Sequence, residues 1–188
     1  MDEGMQRHEY PEVDVVKVFA DLFANKGKKV GEAFAERMAQ QFRIFSLNHL
    51  SLYPNVTATL HELKRAGKKL YVLSNAQACF TKVELATLGL TNFFSGIAYS
   101  SDYACSKPSA EFFDAFMNKY NLNKSETLYV GNDARCDVDG ANNCGIDTLW
   151  IKSNLTDGYV RPTTTPTFVV ENGDFIQIAE IAESCDKK

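Results

Sequence analysis

Thr127-Leu128-Tyr129-Val130-Gly131-Asn132-Asp133-Ala134-Arg135-Cys136-Asp137-Val138-Asp139-Gly140-Ala141 is the stretch that decides the fold class. Its opening is a short apolar run, Thr127 to Val130, stopped by Gly131-Asn132, which reads as a buried strand. A helix near 136–144 follows, and then a second apolar run, Thr148-Leu149-Trp150-Ile151. Upstream, Lys69-Leu70-Tyr71-Val72-Leu73 is another such run, ending in Ser74-Asn75. A helix near 77–88 leads to a strand around Ile97-Ala98-Tyr99, and a helix starting at Ser109 carries Phe112, Phe113, Phe116 and Met117. Downstream, a polar loop with Pro162 and Pro166 leads to a strand at Thr167-Phe168-Val169-Val170 and a helix over 174–184. Strands and helices alternating through short connections predict parallel βαβ units in a doubly wound α/β sheet, with helices on both faces.

The first third lacks this alternation. Val15, Phe19, Leu22 and Phe23 recur at helical spacing within 12–25, and Phe34, Met38, Phe42 and Phe45 share a face within 30–45. No strand separates the two helices. A third helix follows Pro54, with Val56, Leu60 and Leu63 as its buried stripe and Gly67 as its stop. The expected division is a helical segment over 1–52 and an α/β unit over 53–188.

Composition fits this reading. Of 188 residues, 45% are hydrophobic and 23% charged, which excludes disordered and collagen-like chains. The net charge of −4 argues against a nucleic-acid backbone as partner. No apolar run nears the ~20 residues of a membrane span, and the polar start Met1 to His8 is no signal peptide. Five cysteines without a CxxC pair read as reduced thiols, hence a cytoplasmic chain.

Ligands of parallel sheets bind beyond the carboxyl ends of the strands. There the sequence offers Ser74 and Asn75 after one strand, Lys107 in the loop beyond the next, and Asp133 with Asp137 beyond the third. A hydroxyl, an ammonium and two carboxylates suit phosphate chemistry with a divalent ion. Mg²⁺ takes a few carboxylates and its own waters, Lys107 neutralises phosphoryl oxygens, and Ser74 with the Asn75 N–H hydrogen-bonds them. Each residue has a bland alternative: Ser74-Asn75 as a turn, Lys107 as a solvated loop lysine, Asp133 and Asp137 as helix-end carboxylates. Asp139 is expected to face solvent. His8, His49 and His61 lack metal-ligand spacing and read as surface or packing residues. Cys136 and Cys144 read as small buried thiols.

In this order and spacing the chain resembles the haloacid dehalogenase (HAD) superfamily of mostly Mg²⁺-dependent phosphatases. Val72-Leu73-Ser74-Asn75 is similar to its second motif, Lys107-Pro108 with the flanking Ala98 to Phe113 to its third, and Tyr129 to Ala141 to its fourth. The two helices before Pro54 resemble the family's helical cap. The resemblance implies a Rossmann-like core, Ser74 and Lys107 as catalytic and substrate-binding residues with Asn75, and Asp133 with Asp137 as metal ligands. Gly131-Asn132 departs from the family's Gly-Asp, so the metal-side residue stays open between Asn132 and Asp133. The first motif, Asp-x-Asp-x-Thr, is absent. It carries the nucleophile of an aspartyl-phosphate mechanism and follows a strand central to the family's sheet. Asp147-Thr148-Leu149 only echoes it, because Asp147 precedes its strand. The expectation is thus a truncated start, lost turnover, and sheet edges that either pair directly or stay open.

Two functions follow. One is a hydrolase of a small phosphorylated metabolite, using Mg²⁺. The other is a catalytically dead binding module whose sheet edge or cap helices recruit a partner, a second copy included.

Overall fold

The computed structural model describes residues 8–154, 156 and 160–185; the polar start Met1 to Arg7 lies outside them. Helix α1 (Val15–Ala24) begins where the Asp14 carboxylate accepts a hydrogen bond from the N–H of Val16. It packs on α2 (Glu32–Ser46) through two aromatic pairs, Phe19–Phe42 with centroids 5.8 Å apart and Phe23–Phe34 at 5.3 Å. The buried positions of α2 are the small ones, Ala35 and Ala39, while Phe45 stays 87% exposed. Phe45 therefore departs from the expected packing face.

Helix α3 (Val56–Arg65) buries Leu63 and ends at Gly67, whose φ of +77° closes the turn. Strand β1 (Tyr71–Ser74) follows, then α4 (Ala78–Thr87), β2 (Gly96–Tyr99), the short α5 (Ser100–Tyr103) and α6 (Ala110–Lys119). Next come β3 (Leu128–Gly131), a π-helical turn over Ala134–Asp139, α7 (Gly140–Asn143), β4 (Asp147–Ile151), β5 (Phe168–Val170) and α8 (Ile176–Cys185).

All strand pairs are parallel, as the alternation requires. The ladders, however, form two sheets: β1 pairs with β2, and β3–β4–β5 form the other. The sequence leaves direct pairing and open edges as the two outcomes, and the structure shows the second. Among the described residues β1 and β3 share no ladder, so their facing edges stay open. Between them runs the Tyr129 side chain of β3, whose hydroxyl reaches the Leu73 carbonyl of β1 at 3.2 Å.

Helices join what the ladders do not. One core gathers Phe112, Phe113, Phe116 and Met117 of α6 with Leu73 and Ala98 of the first sheet, and Tyr129 of the second packs against it. On the opposite face, Leu63 of α3 and Ile178 and Ala179 of α8 pack with Leu149, Ile151 and Val170. Helices thus lie on both sides, as a doubly wound fold demands.

Two local expectations are corrected. The helix near 136–144 starts earlier, at Ala134, because the Asp133 side chain accepts from the N–H groups of Arg135 (2.9 Å) and Cys136 (2.6 Å). Asp139 is buried, not solvent-facing. Its carboxylate accepts from the N–H groups of Thr163 (3.0 Å) and Thr164 (2.8 Å) and from the Thr164 hydroxyl (2.7 Å), fastening the 160–166 loop to the π-helical turn. No helix among the described residues is long and apolar enough to cross a membrane.

Burial alone would raise the Asp139 pKa, but the bonds from Thr163 and Thr164 prevail and hold it below the usual value. A lowered folded-state pKa means stability present above the unfolded value and lost as pH falls. Asp139→Ala should cost about 1–3 kcal/mol at pH 7, with the gap to the parent closing below about pH 4. Urea midpoints measured across that range check it; a gap that does not change with pH would remove the carboxylate's role.

Candidate active site

The carboxyl ends of β1 and β3 and the loop before α6 meet at Lys107. This lysine is 8% exposed, and its Nζ donates to Asp137 Oδ1 at 2.6 Å and to the Tyr129 hydroxyl at 2.7 Å. The ammonium also sits 5.3 Å from the Tyr129 ring centroid. The bland reading of Lys107 as a solvated loop residue is therefore excluded. Its backbone is held too: Asn75 Oδ1 accepts from the Lys107 N–H (2.8 Å), and Asn75 Nδ2 donates to the Lys107 carbonyl (2.9 Å). Asn75 thus works through its side-chain amide as a clamp on the lysine. The Lys107–Pro108 peptide is cis.

Asp137 is buried, and all its acceptor positions are engaged. Oδ1 takes Lys107 and the Tyr129 hydroxyl (3.2 Å), and Oδ2 takes the N–H groups of Asn132 (3.0 Å) and Asp133 (2.9 Å). Gly131 permits this approach, since a Cβ there would collide with the Asp137 side chain. Asp133 is exposed; its Oδ1 caps the π-helical turn, and the Cys136 thiol also bonds its carboxylate. Asn132 is exposed as well, its carbonyl accepting from Trp150 Nε1 at 3.0 Å. Ser74 closes β1, half-buried, with its hydroxyl bound to none of the described groups.

Tyr129 is the residue that the sequence signals leave unmarked. Burial first, and then the Asp137 charge, push its phenol well above the usual value. It stays protonated, accepting from Lys107 while its single proton is shared between the Leu73 carbonyl and Asp137 Oδ1, each at 3.2 Å. The available signal is its parity with Gly131, two positions on, which puts both on one side of β3.

The other candidates stand apart. Asp147 opens β4 opposite Leu128, at the far end of the sheet from Gly131. His49 and His61 are exposed, the latter edge-on to Phe93. All five cysteines are free. Cys136 and Cys144 are half-buried rather than buried, and burial raises both thiols, Cys136 to about 11. Neither is an activated nucleophile.

Residues 7–151 match the haloacid dehalogenase-like hydrolase family, and the chain belongs to it. It is 30% identical over 132 residues to a glyceraldehyde 3-phosphate phosphatase of Methanothermobacter thermautotrophicus, covering 69% of this chain and 58% of that one. It resembles the solved structure of a predicted phosphoglycolate phosphatase from Haemophilus somnus, with a TM-score of 0.66 at 22% identity over 96% of this chain and 82% of that one. It also resembles the HAD-hydrolase YfnB from Bacillus subtilis bound to magnesium, with a TM-score of 0.64 at 21% identity over 89% and 70%. The chain spans 58%, 62% and 51% of the lengths of the first three curated relatives it matches.

Removing one member of a buried ion pair leaves the other charge uncompensated. Asp137→Ala should cost about 3–5 kcal/mol, and Asp137→Leu with Lys107→Met together should cost clearly less than the two single changes summed. Urea unfolding of the four proteins of this cycle measures the coupling. Strict additivity would mean that the two charges do not depend on each other.

Proposed function

We propose that the chain carries the phosphate-binding and metal-binding side of a phosphatase for small phosphomonoesters. The observation that supports this most is the Lys107 ammonium at the β1–β3 junction. Two of its three N–H donors are spent on Asp137 and Tyr129, and the third remains for a phosphoryl oxygen. The Ser74 hydroxyl is a further donor from the end of the neighbouring strand. Asn75, Tyr129 and Asp137 fix where the ammonium sits, so little reorganisation accompanies binding. The named phosphatase relatives agree with this class.

The donor set fits Mg²⁺ in an uneven way. Asp133 offers an exposed carboxylate, of which backbone N–H groups engage only Oδ1, beside the exposed Asn132. Asp137 has no acceptor position left for an ion or for one of its waters, so the ion would lean on Asp133 and on waters of its own, which Mg²⁺ keeps readily. Bound Mg²⁺ supplies charge neutralisation at the phosphoryl oxygens. Asp133 would hold it, and Asp137 keeps Lys107 pointed at the same region. Of the two carboxylates expected as metal ligands, this reading leaves Asp133 with that role and gives Asp137 the work of holding Lys107.

Residues 1–52 act as the cap, and 53–188 as the core. No Asp-x-Asp-x-Thr occurs in these 188 residues, so this polypeptide is expected to bind phosphate without turning an ester over. The binding-module reading rests on that same feature.

Calorimetric titration with inorganic phosphate, with and without Mg²⁺, tests the proposal. Affinity should rise with Mg²⁺ and fall roughly tenfold to a hundredfold in Ser74→Ala and in Lys107→Ala. Asp133→Asn should abolish the Mg²⁺ effect alone. Equal phosphate affinity in all four proteins would reject the site. Hydrolysis of a phosphomonoester above background, lost in Asp133→Asn, would reject the absence of turnover.

A further inference from the structure

The segment before α1 is laid along the loop that leads to Lys107. The Glu12 N–H donates to the Ala104 carbonyl (3.0 Å), the Ser106 N–H donates to the Tyr10 carbonyl (2.9 Å), and Pro11 forms an antiparallel bridge with Cys105. This short ladder carries His8 back over the first turn of α6, where His8 Nδ1 lies 2.7 Å from Glu111 Oε2. Cys105, 2% exposed, lies beneath them. The imidazole nitrogen, the thiol sulfur and the carboxylate oxygen all lie within 4.8 Å of one another. No other group of three potential metal-ligating side chains this close occurs among the described residues.

We propose that His8, Cys105 and Glu111 form a binding site for a zinc-like divalent ion, separate from the phosphate site. One nitrogen, one sulfur and one oxygen are the donors such an ion takes, whereas Mg²⁺ takes oxygen alone. Ligands at zinc distances stand about 3.3–3.8 Å apart in a tetrahedron. The His8–Glu111 contact needs only to open slightly to reach that spacing. His8 and Glu111 have 17% and 59% exposed side chains, so an ion enters from solvent and a water completes the fourth position. As the metal–sulfur bond forms, the Cys105 S–H proton leaves to solvent, since coordination deprotonates a thiol outright. The ion fastens the 8–12 segment to the loop in which Cys105 stands two residues before Lys107. That loop is also held by Asn75, so the site joins the entry of the helical segment to the site lysine. No sequence signal announces it, because the ligands lie 97 and 103 positions from His8.

Cobalt(II) alone, added to the full chain under reducing conditions, reads this out through its near-ultraviolet thiolate charge-transfer band. The band should saturate at one ion per chain, bleach on addition of Zn²⁺, and persist in excess Mg²⁺. Cys105→Ser should abolish it. His8→Ala and Glu111→Gln, both at exposed or part-exposed positions that keep the fold, should each raise the cobalt concentration at half-saturation at least tenfold. Absence of the band in the parent chain, its survival in Cys105→Ser, or unchanged half-saturation in both other variants would each overturn the site and leave His8–Glu111 as a plain hydrogen bond.

Discussion

The buried contact between Lys107 and Asp137 is what the rest of the molecule is arranged around. Their side chains are 9% and 10% exposed, and neither charge is tolerable there without the other. Asp137 is supplied by the π-helical turn after β3, and Lys107 by the loop after α5 that leads into α6. The pair therefore ties the first half of the α/β unit to the second. Tyr129 adds the third member and reaches across to the Leu73 carbonyl. Where two parallel sheets share no ladder, this polar cluster and the α6 aromatics hold them in register.

The cost of such a cluster is met by how fully it is satisfied. Asp137 receives two backbone N–H groups, an ammonium and a phenol. Lys107 is held at its N–H, its carbonyl and its Nζ. A half-satisfied network would be worse than an apolar core. Completeness explains why Gly131 is required: the peptide after β3 must come close enough to offer two N–H groups to one oxygen, and any Cβ would occupy that space. Backbone sterics, strand ending and electrostatics thus agree at one residue.

Much of this was legible in the sequence, and the reasons are particular. Short apolar runs ending in Ser74-Asn75 and Gly131-Asn132 marked β1 and β3, and their carboxyl ends marked the site. Of the residues named, hydrogen bonds link Asn75, Lys107, Asp137 and Asp133, and Ser74 closes β1 next to Asn75. Their division of labour was not legible, because it depends on which lone pairs are already taken. Asn75 works through its side chain, and Asp139 is buried under a loop some 24 residues further on, a contact that no local pattern encodes. The split of the sheet was foreseen only as one of two outcomes. Ladder pairing is a long-range property, whereas periodicity reports one strand at a time.

The two carboxylates four residues apart show how environment separates chemically identical groups. Asp133 sits at the N-terminus of the π-helical turn, spends one oxygen on its N–H groups, and stays exposed. Asp137 lies one turn on, facing inward, and spends everything on the fold. A cation at the proposed site would meet the exposed Asp133 first and find Asp137 already paired with Lys107. That order matters for phosphate as well. If Asp137 were free to face a phosphoryl group, like charges would repel; paired with Lys107, it would present the group of the proposed site with the lysine's remaining N–H instead. In the proposed site a carboxylate would thus aim a cation at an anion. The aim survives only while the pair stays dry, which is the work of the aromatic face of α6 against Tyr129, ring to ring at 5.4 Å from Phe113.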